Sequence, residues 1–212
     1  YVAQKYVSNS SLENLSYVVS TSLNDLNDRI PSYISELNND SGFVASTSVT
    51  SIWKGTQEEY DAITDKDTNI LIVGLGMIGG SYARGLTKKG LKIHAIDTDE
   101  DTIQYALENN IIAEGTTEAD PAMIGRADVV IFALYPHIFK EWIRDNQQYL
   151  KSGAIITDVT GVKVCVVGDV QNMLRDDCEY IAAHPMAGCE RLGIRNSNEK
   201  IFHAANYIVV PT

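Results

Sequence analysis

Residues 69–97 read NILIVGLGMIGGSYARGLTKKGLKIHAID, and no other stretch constrains the fold as tightly. A short apolar run, 70–73, ends on Gly74-Leu75-Gly76-Met77-Ile78-Gly79. A helical stretch follows, and a second apolar strand closes on Asp97. A dinucleotide needs this order of parts. Gly74 permits the tight turn, Gly76 lets the backbone approach a pyrophosphate, and Gly79 lets the helix pack close to the strand. The phosphates then rest on unpaired N–H groups at the positive end of the helix. Gly74, Gly76, Met77, Ile78 and Gly79 are therefore candidate cofactor-binding residues, joined by Asp97, which is placed to accept hydrogen bonds from the adenosine ribose hydroxyls.

Asp97 also bears on which dinucleotide is bound. Its charge repels a 2′-phosphate, and Thr98 offers no cation to receive one. A hydrogen bond to a charged group is worth about 1.5–3 kcal/mol, or roughly 10- to 150-fold in affinity. The expected cofactor is NAD rather than NADP.

From residue 69 onward, apolar strands alternate with amphipathic helices. Strands are expected over 70–73, 92–96, 129–134, 154–158, 180–183 and 207–210, with helices over 77–89, 99–109, 137–150 and 164–174. That alternation predicts an α/β fold, a doubly wound, Rossmann-like and mostly parallel sheet covered on both faces. Ligands of such sheets sit beyond the carboxyl ends of the strands. The residues at those ends are candidates: Tyr135-Pro136 beside the nicotinamide-side ribose, Asp158 to Lys163, and His184 to Glu190. Tyr135-Pro136 reads equally as a plain helix start, since proline suits the first helical position. Asp158 and Thr160 could serve simply as helix caps, whereas Lys163 could meet an anionic ligand.

The segment His184-Pro185-Met186-Ala187-Gly188-Cys189-Glu190 is the sharper signal. A histidine that ends a buried strand and is pinned by proline is well held and aimed at the cleft. Histidine titrates near neutral pH and can take a proton from a substrate hydroxyl, as oxidation of an alcohol carbon by hydride transfer requires. His94, His137 and His203 lack such settings and read as surface or packing residues.

Residues 1–68 differ in composition. They are rich in Ser, Asn, Asp and Thr and hold no sustained period. They read as an amino-terminal appendage without chemistry, either a flexible, partly helical tail or a chimeric join near Asp67. Within it, SELNNDSGFVASTSVTSIWKGTQEEYDAITDKD resembles segments of phage tail and baseplate-type proteins.

GLGMIGGS, the strand-end Asp97, TDVTGVK and HPMAGCERLG together resemble the nucleotide-binding half of the prephenate dehydrogenase family, over residues 69–212. The resemblance implies NAD-dependent oxidative decarboxylation of prephenate to 4-hydroxyphenylpyruvate, in tyrosine biosynthesis. It implies that His184 takes the ring hydroxyl's proton and that Glu190 belongs to a polar network controlling the cleft. Gly161 stands where many members carry a serine that orients the histidine and substrate. The family also has a carboxyl-terminal helical domain, which builds a homodimer and supplies basic residues for the substrate carboxylates. This chain stops where that domain would begin, so weak or absent turnover is expected of it alone. Arg191, Arg195 and Lys200 could offer only partial replacement. Arogenate, another small acid, or a non-catalytic NAD-binding or phage-like structural module are the competing readings.

The remaining exclusions come from composition. A net charge of -11 argues against nucleic-acid binding. The three cysteines, Cys165, Cys178 and Cys189, lack metal-ligand spacing, so no metal site is expected and they read as reduced thiols. No apolar run approaches the roughly 20 residues of a membrane span, and no signal peptide opens the chain. A cytoplasmic protein with a small-molecule substrate is expected.

Overall fold

The computed structural model describes residues 67–188, 191–203 and 205–210. The expectations for residues 1–66 and for Cys189 and Glu190 lie outside the described residues. Seven strands form one sheet in the order β3-β2-β1-β4-β5-β6-β7. They are β1 (Asn69–Val73), β2 (Lys92–Ile96), β3 (Glu114–Thr116), β4 (Val129–Phe132), β5 (Ile155–Asp158), β6 (Glu179–Pro185) and β7 (Tyr207–Val210). The helices are α1 (Met77–Lys88), α2 (Glu100–Glu108), α3 (Pro121–Arg126), α4 (Pro136–Asn146) and α5 (Val167–Met173). β1 to β6 run parallel, while β7 pairs antiparallel with β6, His184 opposite Ile208.

The sheet is doubly wound because its strands are apolar on both sides. In β1, Ile70 and Ile72 pack with Tyr82, Ala83 and Leu86 of α1 and Ile103 and Ala106 of α2. Their neighbours Leu71 and Val73 join the opposite face, with Met123 and Ile124 of α3, Phe139 and Ile143 of α4 and Val170 of α5. A strand alternates its side chains with period two, so a continuous apolar run must be covered on both sides. Each fully buried Ile or Leu contributes about 1.5–3 kcal/mol, which makes the sheet a rigid platform for its strand ends.

Two elements escape the sequence pattern. β3 is three residues long and partly exposed. α3 is six residues long, opened by Asp120, whose side chain accepts the Ala122 N–H at 2.9 Å. Such short pieces carry too few residues to register a period. Behind α1, two 3-10 turns, Ile194–Asn196 and Glu199–Phe202, place Ile194 and Phe202 in the core against it. Among the described residues, no helix is long and apolar enough to cross a membrane.

Candidate dinucleotide site and the histidine beside it

β1 and β4 are adjacent although their order in the chain is not, so the winding reverses beside β1. In open α/β sheets the crevice for a ligand lies at that point, outside the carboxyl ends of the strands. The turn from β1 to α1 sits there. Gly74 adopts φ +94°, in the left-handed region, and a Cβ on it would lie 2.6 Å from the Ala133 carbonyl oxygen. A Cβ on Gly79 would lie 1.9 Å from the Gly74 carbonyl oxygen, so any side chain there drives α1 off the turn. Gly76 differs. It is exposed, and a Cβ there would meet nothing within 4 Å, so its backbone borders open space. Gly76 is also the N-cap of α1, and no side chain caps the helix. The first-turn amides of a 12-residue helix are thus left for an anion, with Met77 and Ile78 half-buried beside them. These features fit a dinucleotide's pyrophosphate.

Asp97, at the end of β2, is partly exposed and already engaged. Its Oδ2 accepts the Leu75 N–H at 2.6 Å and its Oδ1 accepts the Asp99 N–H at 3.0 Å. The carboxylate is therefore locked in orientation, and each oxygen retains further lone-pair capacity for a ribose hydroxyl. Tyr135, the N-cap of α4, is 72% exposed at the end of β4, where the sequence places it, and its ring stacks on His137 with centroids 6.3 Å apart.

Asp158, read as a cap or a cofactor contact, and Lys163, a candidate for an anionic ligand, both turn their polar atoms to partners inside the protein. Asp158 is 0% exposed. Its Oδ1 accepts the Tyr180 hydroxyl at 2.8 Å, and its Oδ2 accepts the Thr160 N–H at 2.9 Å, the Thr160 hydroxyl, and the Lys163 ammonium at 2.6 Å. Four donors neutralise a carboxylate that would otherwise be costly to bury. The Lys163 ammonium also donates to the Ala183 carbonyl. Burial pulls the Lys163 pKa down, with the Asp158 carboxylate opposing it. Burial and Asp158 together push the Tyr180 phenol far up. On the other side of the strands, burial raises the Tyr207 phenol to about 12. These groups act as structure.

His184 stands half-buried near the end of β6. Its Nδ1 lies 2.8 Å from the Val159 carbonyl oxygen. A carbonyl only accepts, so the neutral ring carries its proton on Nδ1 and leaves the Nε2 lone pair free. Gly161 lies against this ring: a Cβ there would be 3.4 Å from Cε1 and 3.7 Å from Nε2. Beyond His184 the chain passes the glycine turn, and a Cβ on Gly188 would be 3.8 Å from Met77 Cε. The histidine loop and the dinucleotide turn therefore border one crevice. Arg195, considered for substrate carboxylates, instead lies over the Tyr105 ring of α2, 4.3 Å from its centroid. His94 faces Glu114 across β2 and β3 at 3.3 Å, while His203 is exposed.

Val159, Tyr180 and the Leu75 amide were not singled out from the sequence. A backbone carbonyl or amide carries no residue signature, and Tyr180 reads as an ordinary core aromatic. The expected helix caps at Asp158 and Thr160 are not formed: α5 begins at Val167 with Val166 as its N-cap and no side-chain cap, and Asp158 and Thr160 bond to each other within the turn.

The prephenate dehydrogenase nucleotide-binding domain family matches residues 82–212, and a phage tail tip domain matches residues 50–71. The chain is 30% identical to the prephenate dehydrogenase of Bacillus subtilis (strain 168) over 148 residues, covering 69% of this chain and 40% of that protein. It is similar to prephenate dehydrogenase from Aquifex aeolicus, solved with hydroxyphenyl propionate and NAD+ (TM-score 0.60, 32% identity, 68% of this chain and 51% of that one). It is also similar to Synechocystis arogenate dehydrogenase (TM-score 0.63, 26% identity, 68% and 50%). It spans about 40% of the length of the curated relative. With its mostly parallel sheet and the family match over residues 82–212, the chain belongs to the prephenate dehydrogenase family, as its nucleotide-binding domain.

Proposed function

We propose that residues 69–212 are the NAD-binding part of an enzyme that oxidatively decarboxylates prephenate to 4-hydroxyphenylpyruvate. The observation that carries this reading is the His184–Val159 hydrogen bond, which leaves Nε2 as the bare nitrogen of the neutral ring, on a loop that passes beside the glycine turn. Gly74, Gly76, Met77, Ile78 and Gly79 hold the pyrophosphate through the turn and first-turn amides. Asp97 holds the adenosine ribose, and Tyr135 borders the nicotinamide-side ribose. NAD, when bound, supplies the hydride acceptor.

His184 Nε2 accepts the proton of the ring hydroxyl as hydride leaves the same carbon. The bond to the ring carboxylate then breaks, carbon dioxide departs, and its electron pair makes the ring aromatic. His184 returns the proton to the ring oxygen. Gly161 lies beside the ring of His184, and Glu190, outside the described residues, is assigned to the polar network controlling the cleft by the family resemblance alone. The substrate's two carboxylates need cations, and the Lys163 ammonium is already engaged with Asp158 and the Ala183 carbonyl. In this reading further cations and the dimer contacts come from another domain, and residues 1–68 take no part in the chemistry.

Calorimetry tests the first half: NAD and NADH both bind, and absence of heat at millimolar cofactor refutes the reading of the turn. Absorbance of NADH with prephenate tests the second. Rapid turnover by the isolated chain refutes the need for a further domain. Arogenate is a second reading, supported by the likeness to the Synechocystis enzyme. The same ring hydroxyl would face His184, so comparing the two substrates in an assembled enzyme decides between them.

A further inference from the structure

We infer that Lys163 is a positioning residue, which sets the tautomer of His184 from behind without touching substrate. The inference rests on His184 being the proton acceptor. The turn after β5 carries the acceptor for His184 Nδ1, the Val159 carbonyl, on a segment outside any strand or helix. Such a carbonyl is a dependable partner only if the turn cannot shift. Three ties hold it. The Val159 N–H donates to the Phe132 carbonyl of β4 at 3.1 Å. Asp158 closes the turn on itself by accepting the Thr160 N–H. The third tie crosses to β6, where the Lys163 ammonium bridges Asp158 Oδ2 at 2.6 Å and the Ala183 carbonyl.

The third tie bears most on the chemistry. Ala183 is the residue before His184, so one ammonium clamps the backbone carrying the imidazole to the turn carrying its acceptor. Its side chain is only 13% exposed, and its donors face Asp158, Ala183 and, at 3.4 Å, Thr160. No donor is left to reach into the crevice. Without the ammonium, the Val159 carbonyl and the ring drift relative to one another. The Nδ1–H tautomer loses its advantage, and Nε2 is protonated in part of the population. A base protonated on its reacting nitrogen cannot take a proton.

Nitrogen-15 chemical shifts of the imidazoles read this directly in the full 212-residue chain, whose four histidines are few enough to assign. In the unaltered protein the neutral His184 ring is protonated on Nδ1 and bare on Nε2. Lys163→Met shifts His184 toward a mixture with Nε2 protonated, while the NAD dissociation constant changes less than about threefold, within 1 kcal/mol. Lys151→Met removes an ion pair with Asp128 far from the turn and leaves the His184 signals in place, which separates positioning from general loss of stability. If Lys163→Met does not fold because Asp158 stays charged and buried, Asp158→Asn with Lys163→Met removes both charges and is read the same way. An Nε2-protonated ring in the unaltered protein, or unchanged His184 shifts in the Lys163 variants, overturns the inference. Unchanged shifts in the Lys163 variants leave the reading of His184 as the base intact, whereas an Nε2-protonated ring in the unaltered protein counts against both; turnover of His184→Asn in an assembled enzyme tests the base by itself.

Discussion

Asp97 Oδ2 accepts the Leu75 N–H at 2.6 Å, so the acid at the end of β2 is bonded to the glycine turn before any cofactor arrives. One carboxylate thus shapes the pyrophosphate turn and faces the ribose. Asp97→Asn keeps the size but removes the charge that favours an unphosphorylated ribose. The expected loss of NAD affinity is about 10- to 150-fold, from a hydrogen bond to a charged group worth roughly 1.5–3 kcal/mol. NADP affinity falls less, so the ratio of the two measured by calorimetry narrows. An unchanged ratio contradicts the role of Asp97.

The glycines of the turn separate folding from binding. Gly79→Ala places a Cβ 1.9 Å from the Gly74 carbonyl oxygen, so backbone must move, at about 1–3 kcal/mol of stability. Gly76→Ala meets nothing within 4 Å and has an ordinary φ of -63°, so its urea midpoint stays near the parent value. Both weaken NAD binding, Gly76→Ala by its methyl group standing where the pyrophosphate approaches. A large loss of stability in Gly76→Ala, or none in Gly79→Ala, refutes this division.

His184→Asn retains a polar side chain but removes the proton-accepting nitrogen. In an assembled enzyme, turnover falls by about 10²- to 10⁴-fold, the usual contribution of a positioned base. NAD affinity of the chain is nearly unchanged, because the turn and Asp97 are untouched. Parallel loss of both refutes the assignment.

Acid sensitivity has an identified contributor at the back of α1. The Lys88 ammonium hydrogen-bonds Glu199 and holds its carboxyl below the usual range, with desolvation opposing. A carboxyl with a depressed folded pKa adds stability that is present above its unfolded value, about 4.3. That stability is lost as pH falls through the folded value. Lys88 is 67% exposed, so the pair is worth less than about 1 kcal/mol. Urea midpoints measured between pH 6 and 3 fall less steeply in Lys88→Met than in the parent. An equally steep fall removes Glu199 from the account.

The local order of the site is written in the sequence, because its parts are close in the chain and each obeys a short-range rule. The apolar run of β1, the glycines at 74, 76 and 79 and the acid at the end of β2 lie within 29 residues. β1, β2, β4, β5 and β6 follow the expected parallel winding, while β3, α3 and the 3-10 turns were too short to register. β7 is a different case: a strand was legible at Tyr207–Val210, but its antiparallel direction depends on how the chain returns from the 3-10 turns behind α1.

What only the tertiary structure decided is where the side chains after β5 point. Asp158 and Lys163 end a strand on the ligand side of the sheet, which suits a binding residue as well as a buried one. Tyr180 on the neighbouring strand and the Ala183 carbonyl tip the balance by supplying partners inside the protein. Likewise, a histidine at residue 184 is visible as a candidate base, but its tautomer depends on a carbonyl 25 positions earlier. Sequence alone fixes groups whose function follows from neighbours along the chain. Hydrogen-bond partners brought together by strand pairing are a property of the folded sheet.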